Sequence, residues 1–276
     1  QSMGPTGDVI LVRQLFNSVI EASEILGIDE DFRARIKKAK SKLPPLQIGK
    51  HGQLQEWLED YKEAVPGHRH TMHLLSVYPF GQICADKTPA LAKAARVSIE
   101  RRLNAAHAED HGWSRSLISI YLARLRQAEP AYENLQIFMQ KFIFTNLMDF
   151  ALGGHTGNRY PIFCLDGNGG AVTAISQMFL QSYDGQIRLL PALPKAWPDG
   201  YIKGLKAEGG FEIDQYWKEG KLTRAVIRPE FDRPCVVKCG IDVDITCDGE
   251  SLAVESVQGE AIKFDAKAGS VYTLTR

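Results

Sequence analysis

Gly170-Ala171-Val172-Thr173-Ala174-Ile175-Ser176-Gln177-Met178-Phe179-Leu180-Gln181-Ser182, with Ile187-Arg188-Leu189 just beyond, separates two kinds of structure in this chain. Up to Ser182, Val172, Ile175 and Phe179 recur at three- and four-residue steps, the spacing of one helical face. Beyond Ser182 the period shortens toward two. Ile187-Arg188-Leu189, Tyr201-Ile202-Lys203, Phe211-Glu212-Ile213 and Leu222-Thr223-Arg224-Ala225-Val226 read as short strands. Lys218-Glu219-Gly220-Lys221 reads as a hairpin turn between two of them.

Upstream the helical period repeats. Val12, Leu15, Phe16, Val19, Ile20 and Leu26 mark a helix that Gly27 stops. Asp29 is placed to cap a second helix through Phe32 and Ile36, ended by Pro44-Pro45. Thr88-Pro89 opens a third, Trp113 to Leu125 forms a fourth, and Pro130 opens a fifth. Helices first and strands afterwards predict separate layers, not an interleaved parallel sheet. The expectation is a helical part over residues 1–184, paired by short loops as in an array of helical hairpins or part of an α/α barrel. A small antiparallel β-sandwich is expected over 185–276.

The 276 residues carry 33 Lys+Arg against 33 Asp+Glu, and 44% are hydrophobic. A neutral chain lacks the basic excess that displaces counterions from nucleic acid or anionic membrane surfaces. No uncharged apolar run reaches the roughly 18–20 residues of a membrane span. A small or neutral partner remains. Five cysteines, without a Cys-x-x-Cys pair, read as buried or free thiols with at most one bridge. The chain opens Gln1-Ser2-Met3-Gly4-Pro5 and soon turns helical. That opening suggests a removed targeting segment or a piece of a longer polypeptide.

Three segments carry polar residues that a packed core would not choose. In Gly67-His68-Arg69-His70-Thr71-Met72-His73, neutral imidazoles beside a guanidinium suit hydroxyls or a carboxylate. A structural histidine cluster is the blander reading. A metal site is the sharper one, and an Arg among the ligands opposes it. Cys164-Leu165-Asp166-Gly167-Asn168-Gly169-Gly170 reads as a glycine-rich loop entering a helix at Ala171. It has no Gly-Lys-Ser/Thr for phosphate and no spaced acids for calcium. Asp166 there is either a turn residue that caps the helix or a positioned base. In Gln53-Leu54-Gln55-Glu56-Trp57-Leu58-Glu59-Asp60, acids beside a Trp suit a sugar, and a helix burying Leu54, Trp57 and Leu58 is the structural alternative. His111-Gly112-Trp113-Ser114-Arg115 is a weaker segment of the same kind. Carboxylates with Arg, His and Trp are the groups that glycoside cleavage uses.

These segments, in this order, with Tyr78-Pro79, Leu189-Leu190-Pro191-Ala192-Leu193-Pro194, Gly204-Leu205 and Gly209-Gly210, resemble glycoside hydrolase family 95, of α-L-fucosidases and some α-L-galactosidases. The likeness runs from about residue 9 to about residue 228. It implies an (α/α)6 barrel followed by a C-terminal β-domain, with this chain holding the later part of the barrel. It further implies inverting cleavage of a terminal sugar from a neutral oligosaccharide, without metal or cofactor. A Glu would act as general acid, and an Asn supported by an Asp would activate water. By motif that Asp is Asp166. Arg69 and His70 fall on the family's sugar-holding Arg and His. His68, His73, Glu56, Trp57, Trp113 and Asn168 are pocket neighbours by motif. The general acid and the Asn pair lie N-terminal to everything matched here, so the N-terminal remainder of the same polypeptide is the expected partner. Two departures fall on the expected pocket: the usual aromatic residue between Asn168 and Gly169 is absent, and the approach to Asp166 through Gly153-Gly154-His155-Thr156-Gly157-Asn158-Arg159-Tyr160 is longer. A carbohydrate-binding or scaffold protein without catalysis is the competing expectation, and a related hydrolase or lyase on the same scaffold is a third. Secretion or a periplasmic location would suit glycan degradation, and no residue specifies the compartment.

Overall fold

Gly27 makes the first corner. In the computed structural model, which describes residues 3–151, 161–240, 243–257 and 261–276, helix α1 (Thr6–Leu26) ends with Gly27 at φ 66°. Gly27 N–H bonds the Glu24 carbonyl at 3.3 Å, and Ile28 N–H bonds that of Ser23 at 3.2 Å. This is the reciprocal pair of a Schellman cap, which needs the left-handed backbone that glycine adopts without strain. Helix α2 (Glu30–Lys40) follows and packs back on α1. Asp29 holds the N-cap position at φ 55° but makes no side-chain cap bond, and α2 ends at Lys40, before Pro44-Pro45. Among the apolar residues of α1, Ile10 is buried, whereas Leu11, Val12, Leu15 and Leu26 are exposed in the described chain.

The chain forms two compact units, Gln1–Asp110 and His111–Arg276. In the first, a 3-10 turn (Met72–Ser76) and helix α3 (Pro89–Leu103) complete the regular structure. α3 turns Ala92, Ala94, Ala95, Ser98 and Ile99 inward, small residues that allow close approach. The stretch 53–60 uses that approach and is extended, not helical. Leu54 N–H is bonded by Ser98 Oγ (2.9 Å) and lies 3.2 Å from the Ala94 carbonyl. Glu56 carbonyl accepts from Thr6 N–H, and bridges join Ile48 to Leu54 and Pro5 to Trp57. With its backbone groups satisfied by α3 and α1, the segment gains nothing from coiling. Leu54 is buried as expected, but Leu58 is exposed.

In the second unit, helix α4 (Gly112–Arg124) packs against α5 (Ala128–Lys141) and α6 (Leu165–Phe179). Between α5 and α6, β1 (Phe150–Ala151) pairs with β2 (Ile162–Phe163). α6 begins at Leu165, not after Gly170, so the glycine-rich stretch is the helix's opening turns. Strands start at once: β3 (Leu180–Tyr183), β4 (Gln186–Leu189), β5 (Gly200–Ala207), β6 (Phe211–Lys218), β7 (Lys221–Pro229), β8 (Arg233–Lys238), β9 (Asp244–Cys247), β10 (Glu250–Ser251), β11 (Glu255–Val257), β12 (Ala261–Ala266) and β13 (Tyr272–Thr275). They form a six-stranded sheet, β10-β9-β13-β7-β6-β5, and a five-stranded sheet, β11-β12-β8-β4-β3. Glu219 and Gly220, both at positive φ, close the predicted β6–β7 hairpin. One pairing departs from the antiparallel expectation: β4 runs parallel to β8, Ile187 opposite Val237. Side chains of both sheets share one core, with Ile187, Val237 and Phe264 from the five-stranded sheet and Ile213, Ile227 and Leu274 from the six-stranded one. Gln215 ties α6 to this core, donating to the Phe179 carbonyl (3.1 Å) and accepting from Leu190 N–H (3.1 Å). All five cysteines are free, and Cys84 and Cys235 are buried.

Candidate active site

Gly67 lets the histidine-rich segment lie against residues 105–109. A Cβ there would stand 2.7 Å from Ala108 Cα, and the Gly67 carbonyl accepts from Glu109 N–H at 2.8 Å. Glu109 is thereby brought to Arg69, whose Nη1 bonds Glu109 Oε2 at 2.6 Å. The bond holds the Glu109 carboxyl below the usual carboxylate range. His68 Nε2 stands 4.0 Å from the same oxygen. His68 Nδ1 accepts the His70 amide (3.1 Å), which places any ring proton of a neutral His68 on Nε2. The two rings lie 4.9 Å apart. Burial, then Arg69 and His68, lower the His70 pKa, so His70 is neutral at pH 7.

The 3-10 turn sends His73 inward, where it is 2% exposed. Its Nδ1 has no hydrogen-bond partner and stands 3.8 Å from Glu56 Oε1. That is too long for a hydrogen bond, and burial followed by the Arg102 charge pushes the imidazole down to about 3. His73 is therefore neutral and forms no ion pair. Glu56 instead pairs with Arg102 of α3, Oε2 to Nη2 at 2.6 Å, while Arg102 Nη1 reaches the Val65 and Pro66 carbonyls.

These side chains open on a cleft of about 660 Å³ lined by Glu56, Trp57, His68, His70, His73 and Arg102, among others. The imidazoles, the Glu56–Arg102 ion pair and a half-buried indole offer donors, acceptors and a flat apolar face, and Glu59, Asp60 and Glu63 against Lys62 make the lining acidic on balance. That chemistry suits a polyhydroxylated neutral ligand. Arg69 is not among the lining residues, its guanidinium being turned to Glu109.

In the second unit, Asp166 is exposed on the first turn of α6, and its Oδ2 accepts from Cys164 Sγ at 3.4 Å. Asn168, two residues on, spends both ends of its amide on backbone: Oδ1 accepts Asp149 N–H and Nδ2 donates to the Leu147 carbonyl, each at 2.8 Å. Trp113 stands half-buried in the first turn of α4. The longer approach, Gly153 to Tyr160, lies outside the described residues.

Sequence reasoning singled out His68, His70, His73 and Trp57, which line one cleft. It missed Glu109 and Arg102, each some 40 residues from its partner, and the buried carboxyl of Asp149. A lone acid between hydrophobic residues, Met148-Asp149-Phe150, was the available signal for the last. Among the described residues no group of three His, Cys, Asp or Glu could hold a metal ion, and no helix is long and apolar enough to cross a membrane.

Comparison with known proteins gives two matches that meet where the helices give way to strands. The model of the glycosyl hydrolase family 95 catalytic domain matches residues 1–179, and that of the glycoside hydrolase family 95 C-terminal domain matches 181–274. Together they extend past both ends of the motif-bearing span. A protein named alpha-L-fucosidase 2, from Arabidopsis thaliana, is 32% identical over 269 residues, 96% of this chain and 30% of that protein. Proteins named probable alpha-fucosidase A, from Aspergillus niger and Aspergillus oryzae, are each 28% identical, over 79% and 78% of this chain. The chain spans about 30% of the length of these relatives.

Proposed function

The chain belongs to glycoside hydrolase family 95, and on that premise we propose that it carries part of the active site of an inverting hydrolase for terminal α-L-fucosyl or α-L-galactosyl residues. The carrying observation is the cleft lined by three histidines and Trp57, which lies in residues matched by the catalytic-domain model. Carboxylates in the lining can accept from sugar hydroxyls, and a terminal deoxy-sugar presents hydroxyl edges to His68, His70 and His73 and an apolar face to Trp57. In this reading Arg69, braced by Glu109, adds its remaining N–H donors to the sugar hydroxyls. Asn168 shapes the Asp166 turn through its backbone bonds.

Asp166 is assigned the base side of the reaction. Its exposed carboxylate accepts a hydrogen bond from the amide that activates the water, or from the water as it attacks the anomeric carbon, and the general acid belongs to sequence N-terminal to these motifs. In this reading 1–184 form part of an (α/α)6 barrel and 185–276 a β-sandwich domain, with β3 (Leu180–Tyr183) joining its five-stranded sheet from before that boundary. The substrate is a neutral oligosaccharide, and the N-terminal remainder of the polypeptide is the partner.

Replacing Asp166 by Asn in the intact polypeptide tests the assignment. On an aryl α-L-fucoside, kcat is expected to fall at least ~100-fold with KM within a few-fold, the pattern of an interaction made only in the transition state. Near-parental turnover would remove Asp166 from the mechanism. NMR of the first-formed product anomer checks inversion, and binding of fucosides without turnover by the intact polypeptide would favour a non-catalytic carbohydrate binder.

A further inference from the structure

Asp149 is the most enclosed acid among the described residues of the second unit, with no exposed surface. Its carboxylate is wedged between the backbones of two helix starts. A Cβ added to Gly112, first residue of α4, would stand 1.8 Å from Asp149 Oδ1, and one added to Gly167, third residue of α6, 1.9 Å from Oδ2. Any side chain at either position would expel the carboxylate. The main chain of Asp149 is tied to the same turn, its N–H to Asn168 Oδ1 (2.8 Å) and its carbonyl to Cys164 N–H (3.0 Å). The Cys164 thiol in turn meets Asp166.

The amides of Phe150 and Gly167 and the Cys164 thiol lie near enough to favour the charged form, yet neither oxygen meets a donor in hydrogen-bond geometry. Burial outweighs them, and the Asp166 charge adds to it, raising the carboxyl to about 6. A group so costly to bury is poorly explained as a fold-stabilising element alone, because an apolar side chain would fill the same space more cheaply. Its location, between the positive ends of two helices, is where a carboxylate can hold both together.

We propose that Asp149 is a positioning residue for Asp166: by wedging between the opening turns of α4 and α6, it fixes where the Asp166 side chain stands. The inference rests on the reading of Asp166 given above. Asp149 itself touches no substrate. Its effect is geometric, and a displacement of ~1 Å in a reacting group can cost ~100-fold in rate.

The experiment uses the intact polypeptide with D149N, G112A and D166N side by side, each checked for folding by circular dichroism and thermal melting. D149N keeps the size of the side chain and removes its charge. G112A keeps the carboxylate and pushes it aside. Both are expected to melt cooperatively and to lose ~10- to 100-fold in kcat on an aryl α-L-fucoside, with KM within ~3-fold. If D166N abolishes turnover while a folded D149N or G112A retains parental kcat, the positioning role is overturned and the reading of Asp166 stands. If D166N itself keeps parental turnover, the reading of Asp166 falls and the role of Asp149 with it. Failure of both D149N and G112A to fold would make Asp149 a structural residue and also overturn the proposal.

Discussion

Arg102 holds a buried guanidinium in place with three acceptors, Glu56 and the Val65 and Pro66 carbonyls. The pair shapes one wall of the cleft, and its positive member helps keep His73 neutral. Removing one partner strands the other's charge, whereas removing both leaves only a polar gap. R102M is therefore expected to destabilise the first unit by about 2 kcal/mol, below the roughly 3–5 kcal/mol of fully buried pairs because Glu56 keeps some solvent contact. The double variant E56Q/R102M should lose less than the sum of the two single changes. Denaturant melts of the four proteins give the coupling energy, and additive losses would show that the pair is not coupled.

At the scale of elements, α6 shows why sequence reading missed where a helix begins. Three glycines in six residues read as a loop because glycine is the poorest helix former after proline. Two of them are in the helix for reasons that lie far away in sequence. Gly167 makes room for Asp149, and Gly170 makes room for Ser116, whose Oγ would stand 2.2 Å from an added Cβ. Gly169 has nothing within 4 Å and is exposed. The usual helix preference thus applies at one site of three. G169A should stabilise the second unit by about 0.5–1 kcal/mol. G170A should be neutral or destabilising, depending on whether Ser116 can rotate away, and G167A should be clearly destabilising. Chemical denaturation of the three variants reads this order directly, and a uniform gain would mean that the close approaches are absent. The segment 53–60 misled for a related reason. Its Leu54-Trp57-Leu58 spacing is helical, but its backbone donors are claimed by α3 and its carbonyl by α1.

For the whole molecule, order and kind of elements were legible because periodicity, caps and turns are local: Gly27, Thr88-Pro89 and Glu219-Gly220 each act within a few residues. The parallel β4–β8 pairing and the Asp149 cradle were not, because they join positions tens of residues apart and leave no trace in spacing. Those long-range contacts give the two units opposite responses to acid. His73, in the first unit, titrates at about 3 when folded but near 6.5 when unfolded. Its contribution is full above pH 6.5 and is lost as pH falls toward 3, because the unfolded chain takes the proton first. Asp149, in the second unit, titrates at about 6 when folded against 3.8 unfolded. Here the folded state takes the proton first, so stability rises as pH falls from 6 to 3.8. Each group can contribute a slope of up to about 1.4 kcal/mol per pH unit inside its window. The difference in stability between parent and H73L, followed by hydrogen exchange in Pro89–Leu103, should fall between pH 6 and 4. The difference between parent and D149N, followed in Gly112–Arg124, should rise over the same interval. Two differences that change with pH in the same direction would contradict the burial of one of these groups, and the unit whose slope is reversed would identify which.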